Sequence, residues 1–398
     1  MVMTETINFA LGAALFVRSI FKAVLVYADV SKSPAGERVR GVGLDRHFPT
    51  SLPSIVDIKQ VIPKGCFQSS LAWSMAYAIK DLVQVIGLYA LISYLDAITT
   101  SPVLRAAFFA LYWFAQGTVF MGVFCIGHDC GHSSFSTYPV INDIIGTISH
   151  AFLMVPYYPW KLSHRHHHKN TGNFDRDEVF YPMRESANKQ EADAGVSSAA
   201  SPGSPILPGF GLGFGWLVYL VKGYNPRPVC HFNPFDSMFV GHVVGCIASL
   251  AAMGGYGYAL FAYYETYGWE AVALYYLMPL FVGASYIVVI TFLHHSEVNV
   301  PWYADETWDF VKGQLSSVDR HYGLVHSTIH NIGTHQIHHL FAKIPHYHLE
   351  EATLHFRRAF PQLVRRCDEP ILLSFVRMFK KFVAQCIIKR GALEHSYQ

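Results

Sequence analysis

The sequence predicts an all-α membrane protein with four transmembrane helices in two hairpins, additional interfacial helices and a cytosolic cap rich in histidine. Of 398 residues, 52% are hydrophobic and 15% are charged, a composition typical of membrane proteins. Four apolar segments are long enough to cross a bilayer core of about 30 Å. Three histidine clusters lie beside or between these segments.

Residues 1–69 are expected to form a cytosolic N-terminal region. Its apolar stretch, Ile7–Val17, is too short to span a bilayer and is followed by Arg18 and Lys22. These features predict a helix over Met1–Val30 that lies in the membrane interface.

Residues 70–360 are expected to form the membrane domain. The predicted spans cover about 71–95, 103–126, 238–263 and 271–293, joined within each hairpin by the short connectors 96–102 and 265–270. Lys80 and Asp81 lie inside the first span, where a charge is costly unless it faces protein or water. The pair is therefore either a pairing device or a sign that the span is misplaced.

The other segments of the chain are shorter or more polar. Ile141–Trp160 and Phe210–Val221 are apolar but too short or too interrupted to span, so both are predicted to lie in the interface. Residues 185–208 are rich in Ser, Ala, Gly and Pro and are predicted to be a mobile loop. Residues 361–398 are expected to be a cytosolic tail.

The two hairpins bring all three histidine clusters to one face of the membrane. The connectors on the opposite side carry few basic residues, so the positive-inside bias makes the histidine face cytosolic. The basic residues on the histidine face are Lys161, Arg165, Lys169, Arg176, Lys312, Arg320 and Lys343. No basic run suggests a nucleic-acid partner, and the seven scattered cysteines form no C-x-x-C motif.

The histidine clusters have helix-face spacing. His128 and His132 are four residues apart, and the other two clusters place histidines at i, i+3 and i+4. The members of those two clusters are His164, His167 and His168, and His335, His338 and His339. These eight imidazoles exceed one coordination sphere, so they predict two metal ions. Imidazole alone leaves the metal open. A redox pair that activates O₂ and a zinc pair that runs hydrolysis both fit.

Carboxylates close to the clusters are candidates to hydrogen-bond the ligating imidazoles and fix their tautomers. The candidates are Asp129, Asp175, Asp177, Glu178 and Asp319. Each of them could equally be an ordinary surface acid.

Three motifs resemble those of the membrane fatty-acid desaturases: GHDCGH, SHRHHHKNTGNFDRDEVF and HQIHHLFAKIPHYHLEEAT. The resemblance covers roughly Phe48 to Thr353. DRDEVF and IPHYHLEEAT are similar to the methyl-end branch, which contains omega-3 and delta-12 (omega-6) enzymes.

The resemblance implies that the eight clustered histidines bind two iron ions. A further family ligand corresponds to His295 in the sequence TFLHH, with His294 in the neighbouring position. His166 falls in a variable slot and is expected not to bind metal. His330, His346 and His348 also match family residues, for which supporting or structural roles are expected.

The resemblance also implies an activity: insertion of a cis double bond into an unsaturated acyl chain with O₂ and two electrons. The acyl carrier is expected to be CoA or a phospholipid, and a separate cytochrome b5 with its reductase is expected to supply electrons at the endoplasmic reticulum membrane. Both termini are expected to be cytosolic. The first two spans and Ile141–Trp160 are expected to wall the acyl tunnel.

Two questions stay open from the sequence. The motifs favour omega-3 chemistry, with a delta-12 or bifunctional methyl-end desaturase as the alternative. A histidine-rich metal transporter is a more remote alternative, because it would need ionisable groups near the midplane of the spans. The histidines of this chain lie at the ends of the spans instead.

Overall fold

Helices dominate the computed structural model, which describes residues 49, 51–185, 211–224 and 227–398. The predicted interfacial helix over Met1–Val30 lies outside the described residues. Residues 186–208 of the predicted mobile loop also lie outside them. The helices that position the site are α1 (Ile55–Val61), α2 (Leu71–Ile98), α3 (Pro102–His132), α4 (Pro139–Phe152), α5 (Tyr157–Asn170), α6 (Gly213–Lys222), α7 (Val243–Val272), α8 (Met278–His295), α9 (Phe310–Leu315), α10 (His335–Leu340), α11 (His346–Ala359) and α12 (Ile371–Gln385).

Helices α2 and α3 confirm the first two apolar segments as long helices. Both are long and apolar enough to cross a membrane. Only Thr99–Ser101 separates them, and the Ser101 side chain caps α3 by accepting a hydrogen bond from the backbone N–H of Leu104. Pro102 at the first turn suits a helix start, since its missing N–H would have no partner there.

The third and fourth apolar segments form one helical stretch, Val243–His295, with a five-residue π-helical turn at Ala273–Leu277. The stretch is broken at Gly268, whose φ of 79° is open to glycine and costly for other residues. Across this break the rings of Tyr256 and Tyr276 lie 5.8 Å apart. A continuous helix would separate them by about 30 Å, so the chain doubles back at Gly268.

The start of the third segment differs from the prediction. A 3-10 turn covers Ser237–Phe239, and Gly241 has a φ of 84°, so α7 begins at Val243 and not near Met238. The apolar residues before Val243 therefore belong to a turn. Hydropathy alone does not separate such a turn from a helix end.

Segment Ile141–Trp160 is helical, as predicted, but it contains a corner. Helices α4 and α5 are bent by 105° across Leu153–Pro156. Pro156 precedes α5 with a φ of −73° and extended ψ. The bend turns α5, which carries the second histidine cluster, away from the direction of α4. Helix α6 lies within the predicted segment Phe210–Val221, apart from its last residue, Lys222.

Helix α3 lies at the centre of the helical packing. It contacts α2, α4 and α8. In the apolar 18-residue stretch of α3, 67% is buried in the protein, against 11% in that of α2. The largest core cluster includes Phe120, Met121 and Phe124 of α3 with Ile287 and Val288 of α8. Because α3 is central, its C-terminal residues enter the protein interior.

Residues 361–398 are folded against the rest of the protein, which corrects the expectation of a tail. The short strands pair as β2 (Pro301–Tyr303) with β6 (Glu394–Ser396), β1 (Met183–Arg184) with β5 (Ile387–Ile388), and β3 (Asp319–Arg320) with β4 (Arg366–Cys367). In the β2–β6 pair Trp302 lies opposite His395. Helix α12 is tied to the end of α8 by Arg377, which lies 2.7 Å from Glu297.

Candidate metal centre

Two groups of histidine nitrogens converge in the interior of the protein. The first group has one nitrogen from each of five residues, all within 4.8 Å of one another. Its members are His128 and His132 of α3, His164 and His168 of α5, and His338 of α10. We call this group the first cluster.

The second cluster contains His167 of α5, His295 of α8 and His339 of α10, again within 4.8 Å of one another. His335 completes it, because its Nε2 lies 3.1 Å from Nε2 of His295 and 2.9 Å from Nε2 of His339. Nε2 of His167 lies 3.2 Å from that of His295. All nine histidines predicted as ligands therefore lie in one of the two clusters.

The helical spacing of each histidine explains the cluster to which it belongs. His164 and His168 are four residues apart and share the first cluster, whereas His167, between them, enters the second. In α10 the pattern is inverted: His335 and His339 share the second cluster and His338 enters the first. Residues i and i+4 differ by about 40° around a helix, but i+3 and i+4 differ by about 100°. One short helix thus serves both clusters.

Hydrogen bonds fix the tautomers of three histidines in the second cluster. Nδ1 of His335 donates to the carbonyl of Ile332 (3.2 Å), and Nδ1 of His167 donates to the carboxylate of Asp177 (2.7 Å). Nδ1 of His339 donates to Oε1 of Gln314 (3.2 Å). With the proton on Nδ1, each Nε2 presents a lone pair. Lone pairs 2.9–3.2 Å apart repel unless a cation lies between them.

His294 does not share this arrangement. Its Nδ1 donates to the backbone carbonyl of Val318, and its Nε2 lies 2.9 Å from the hydroxyl of Tyr322. Both ring nitrogens are thus engaged, so His294 supports the end of α8 while His295 enters the cluster.

In the first cluster, buried ring nitrogens lack hydrogen-bond partners within the described part of the chain. They are Nδ1 of His128, Nε2 of His132, His164 and His338, and both nitrogens of His168. Unpartnered buried polar atoms are rare in folded proteins and need an explanation, such as an ion.

Burial lowers the pKa values of the three α10 histidines, His335, His338 and His339, well below the usual value for histidine. The neutral imidazole that results is the form that binds metals.

Two of the predicted acids contact the clusters. Asp177 accepts the hydrogen bond from His167, as described above. Asp129 has one oxygen 3.7 Å from Nδ1 of His128 and the other 2.9 Å from Nδ1 of His346. A buried carboxylate that accepts a hydrogen bond from a ligating histidine, as Asp177 does from His167, orients its ring and raises its basicity. The 3.7 Å between Asp129 and His128 is too long for such a bond.

The other predicted acids have different partners. Glu178 contacts His166, which lies outside both clusters with 40% of its side chain exposed. Asp319 accepts from the backbone N–H of Gln336 (2.8 Å) and pairs with Arg357 (2.7 Å). It thus holds the start of α10 in place without touching a clustered histidine. Asp175 forms an ion pair with Arg184, at 2.7 Å.

His330 pairs with an acid that the sequence left ambiguous. Its Nε2 lies 2.6 Å from Oδ2 of Asp81, which is the buried partner of Lys80 (3.2 Å) in α2. Gly122 of α3 makes room for this pair, because a Cβ there would lie 3.3 Å from Oδ2 of Asp81 and 3.5 Å from Nε2 of His330. The charged residues within α2 are therefore a pairing device, not a boundary error.

A cavity opens between the helices beside both clusters; we call it the outer cavity. His128 and His164 of the first cluster line it, as do His167 and His335 of the second. Most of the remaining lining is apolar or aromatic and comes from α3, α6 and α8. A long apolar ligand in this cavity would place its carbon atoms directly against the histidines.

The walls of this cavity differ in part from the prediction. Helix α3 and Trp160 contribute, as expected, but no residue of α2 lines the cavity. Helices α6 and α8 take its place, through residues such as Trp216, Tyr219 and Ile287. The sequence shows that α6 is apolar but carries no signal for which neighbour covers it.

Comparison with known proteins gives the family of this chain. The family model "Fatty acid desaturase" matches residues 102–370. An sn-1 acyl-lipid omega-3 desaturase (ferredoxin) from Nostoc sp. strain 36 is 39% identical over 332 residues, which are 82% of this chain and 86% of the relative.

Two plant relatives show similar coverage. The omega-6 fatty acid desaturase, endoplasmic reticulum isozyme 2, of Glycine max is 36% identical over 89% of this chain and 92% of its own length. The acyl-lipid omega-3 desaturase (cytochrome b5), endoplasmic reticulum, of Arabidopsis thaliana is 35% identical over 80% and 79%. Together with the converging histidines, these matches show that the chain belongs to the membrane fatty-acid desaturases, in their methyl-end branch.

Proposed function

We propose that this chain is an omega-3 acyl desaturase that uses two iron ions, one in each histidine cluster, to insert a cis double bond into an unsaturated acyl chain. The observation that carries the proposal is that four histidines, two from each cluster, line one apolar cavity. The nine proposed ligands are His128, His132, His164, His167, His168, His295, His335, His338 and His339.

The donor set fits two transition-metal ions. Two nitrogens bound to one ion at about 2.1 Å and at right angles lie about 3.0 Å apart. The Nε2 separations in the second cluster are 2.9–3.2 Å. Imidazole suits iron, zinc and copper alike, and membership of a desaturase family favours iron. Iron bound there would supply the oxidising power that removal of hydrogen from an unactivated methylene requires.

The proposed reaction balances with O₂ and an external reductant. Two adjacent methylenes of the acyl chain each lose one hydrogen atom and form a carbon–carbon double bond. O₂ accepts these two hydrogens together with two electrons and two protons, and becomes two molecules of water. A protein that carries one electron at a time, acting twice, is the required co-reactant.

The residues of the chain place the acyl chain, keep water away from it and orient the histidines. The outer cavity confines an acyl chain whose methylenes differ only in their position along it, so placement alone selects the bond. Its aromatic and aliphatic lining excludes water from the reacting carbons. Asp177, Gln314 and the carbonyl of Ile332 hold three imidazoles with their Nε2 atoms facing inward.

Relatives of both regiochemistries support a methyl-end enzyme. The omega-3 proposal is supported by the Nostoc and Arabidopsis relatives named above. A delta-12 or bifunctional desaturase is the second candidate, supported by the Glycine max relative and by a Delta(12)-oleate desaturase of Trichosanthes kirilowii that is 35% identical over 86% of this chain. The family match gives the transporter alternative no support.

We propose a cytochrome b5 as the electron donor and an acyl lipid as the substrate carrier, by analogy with the Arabidopsis relative. Ferredoxin, named for the Nostoc relative, is the alternative donor. Purified protein supplied separately with reduced cytochrome b5 and reduced ferredoxin distinguishes the two by the rate of product formation.

The proposed placement is in the endoplasmic reticulum membrane, with the histidine clusters and both termini in the cytosol. It is supported by the apolar helices α2 and α3, by the reversal of Val243–His295 at Gly268, and by the basic residues near the clusters. On this topology α2, α3 and the two halves of Val243–His295 make four spans in two hairpins. Protease protection of tags placed after residue 398 and near residue 267 tests this topology.

The direct test of the activity is expression in yeast supplied with oleate or linoleate, followed by gas chromatography of fatty-acid methyl esters. Conversion of linoleate to its omega-3 product supports the proposal, whereas new linoleate from oleate supports the delta-12 candidate. His164→Ala is expected to abolish product while the protein stays in the membrane. His355→Ala, at a histidine outside both clusters, is the matched control. Absence of any new double bond despite bound iron would contradict desaturation.

A further inference from the structure

A group of three metal-binding side chains shares no residue with the two histidine clusters. It comprises Cys66, His348 and Glu351, and one ligand atom from each lies within 4.8 Å of the others. Cys66 belongs to the 3-10 turn Lys64–Phe67, which precedes α2. His348 and Glu351 are three residues apart in α11 and therefore share a face of that helix. We call this group the thiol site.

The ligand atoms of the thiol site are spaced for one tetrahedral ion. Nδ1 of His348 lies 3.6 Å from Oε2 of Glu351. Two ligand atoms that bind one ion at about 2.1 Å and at the tetrahedral angle lie about 3.4 Å apart. The side chains of His348 and Glu351 are 31% and 54% exposed, so both are free to make the small movement that coordination requires. Cys66 is buried and fixes the position of the sulfur.

The donor types of the thiol site favour zinc. Thiolate, imidazole and carboxylate are the side-chain ligands that zinc takes in proteins, and water completes the tetrahedron where the protein supplies three of them. The thiolate of Cys66 and the carboxylate of Glu351 together carry two negative charges, which balance those of Zn²⁺. Sulfur is a softer donor than nitrogen, so this site differs in metal preference from the all-histidine clusters.

We propose that Cys66, His348 and Glu351 bind one Zn²⁺ ion, in addition to the metal of the histidine clusters. The proposal goes beyond desaturation and does not depend on it. The ion joins the turn before α2 to α11.

Binding of the ion removes a proton from Cys66. Burial, followed by the nearby charge of Glu351, raises the pKa of this thiol to about 11. Without a metal, the thiol therefore keeps its proton at neutral pH. When the cation binds, the S–H bond breaks, a metal–sulfur bond forms and the proton passes to the solvent.

The ion reinforces an attachment that the fold already has. The backbone N–H of Ser70, just before α2, donates to the hydroxyl of Tyr347 in α11, at 2.8 Å. The first residue of α11, His346, has its Nδ1 2.9 Å from the carboxylate of Asp129 in α3. Zinc thus fastens the turn before α2 to the helix that contacts Asp129. An ion that binds the folded chain and not the unfolded one raises the melting temperature.

Cobalt is the probe for the thiol site, because a thiolate bound to Co²⁺ gives an intense near-ultraviolet charge-transfer band and an imidazole does not. The full chain is purified with its cysteines reduced, its histidine clusters are loaded with iron, and Co²⁺ is added at neutral pH. We expect one further equivalent to bind, with the thiolate band and the release of the thiol proton. Zn²⁺ should then displace the cobalt, remove the band and raise the melting temperature.

Two variants remove ligands from the thiol site, each with a matched control. Loss of a group that only supports a metal ligand weakens binding by about 10–100-fold, so His348→Gln should weaken Co²⁺ binding by about 100-fold or more. Cys66→Ser should remove the thiolate band. His355→Gln, in the same helix, and Cys230→Ser lie outside the site and should bind like the wild type.

Three results would overturn the proposal. A folded wild-type chain without a thiolate band at saturating Co²⁺ would show that the three side chains hold no such ion. A band that persists in Cys66→Ser, or that disappears in Cys230→Ser, would assign the metal to another thiol. Unchanged Co²⁺ affinity in His348→Gln, whose partly exposed position makes it the safer variant for folding, would contradict the ligand set. None of these results bears on desaturation, which product analysis tests separately.

Discussion

Nε2 of His330 lies 2.6 Å from the carboxylate of Asp81, so the segment that precedes α10 is hydrogen-bonded to the first apolar helix, α2. Both side chains are buried, at 0% and 2% exposure. His330 has a φ of 55°, as does the next residue, Asn331, a backbone conformation uncommon outside glycine. The contact therefore holds a strained turn close to the start of α10.

Loss of this contact is expected to destabilise the fold. Asp81→Leu leaves the buried Nε2–H of His330 without a partner, at a cost of about 1–3 kcal/mol. The measurement is thermal unfolding of the purified protein in detergent. Lys80→Leu is the control, because the Lys80 side chain is 38% exposed, and it is expected to change the melting temperature less. An Asp81→Leu variant that melts at the wild-type temperature would show that the Asp81 contact contributes nothing.

Stability is expected to fall in mild acid through His330. Burial, followed by nearby His346, lowers the pKa of His330 to about 4, against the opposing effect of Asp81. The unfolded state thus binds the proton more readily between about pH 6.5 and 4. Stability is complete above this window and is lost as the pH falls through it. His330→Gln should flatten that slope in unfolding curves recorded as a function of pH, whereas an unchanged slope would assign the effect to other buried histidines.

The neighbours His294 and His295 are expected to behave differently. His295→Gln removes a nitrogen from the second cluster, so iron content and desaturation should both fall. His294→Gln keeps polar atoms near Val318 and Tyr322 and should retain most of the iron. Iron per chain, measured by mass spectrometry of the purified proteins, compares the two. The reverse order would mean that the roles of the two histidines have been exchanged.

Asp177 is expected to tune metal binding through His167. Asp177→Asn keeps the size of the side chain but weakens its acceptance of the Nδ1 proton, so metal affinity should fall about 10–100-fold. Titration of apoprotein with Fe²⁺ or with Co²⁺ as a spectroscopic probe measures it. Glu178→Gln is the matched control, since Glu178 contacts only His166 among the histidines described above. Equal affinities in both variants would exclude the proposed role of Asp177.

Much of the membrane architecture could be predicted from the sequence. Runs of apolar residues predict α2 and α3, because a length of about 20 residues is fixed by the bilayer and not by tertiary contacts. The mistaken start of α7 and the mistaken tail have one cause. A short apolar stretch such as that before Val243, or an amphipathic one such as α12, takes its conformation from distant partners.

The site was predictable as a set of residues but not as an arrangement. Spacing and resemblance together named the nine histidines. They gave no assignment of each histidine to a cluster, because this depends on how α3, α5, α8 and α10 meet. The 100° angle between positions i+3 and i+4 of a helix could have indicated that His167 and His168 diverge. The partner of Asp81, 249 residues away, had no comparable signal.

Each of the two histidine clusters is proposed to bind one iron ion. Metal analysis of the purified wild-type chain tests it most directly, together with His132→Ala for the first cluster and His339→Ala for the second. We expect two irons per chain in the wild type and about one in each variant. Stoichiometric zinc in place of iron, or a folded wild-type chain that binds at most one ion, would contradict it.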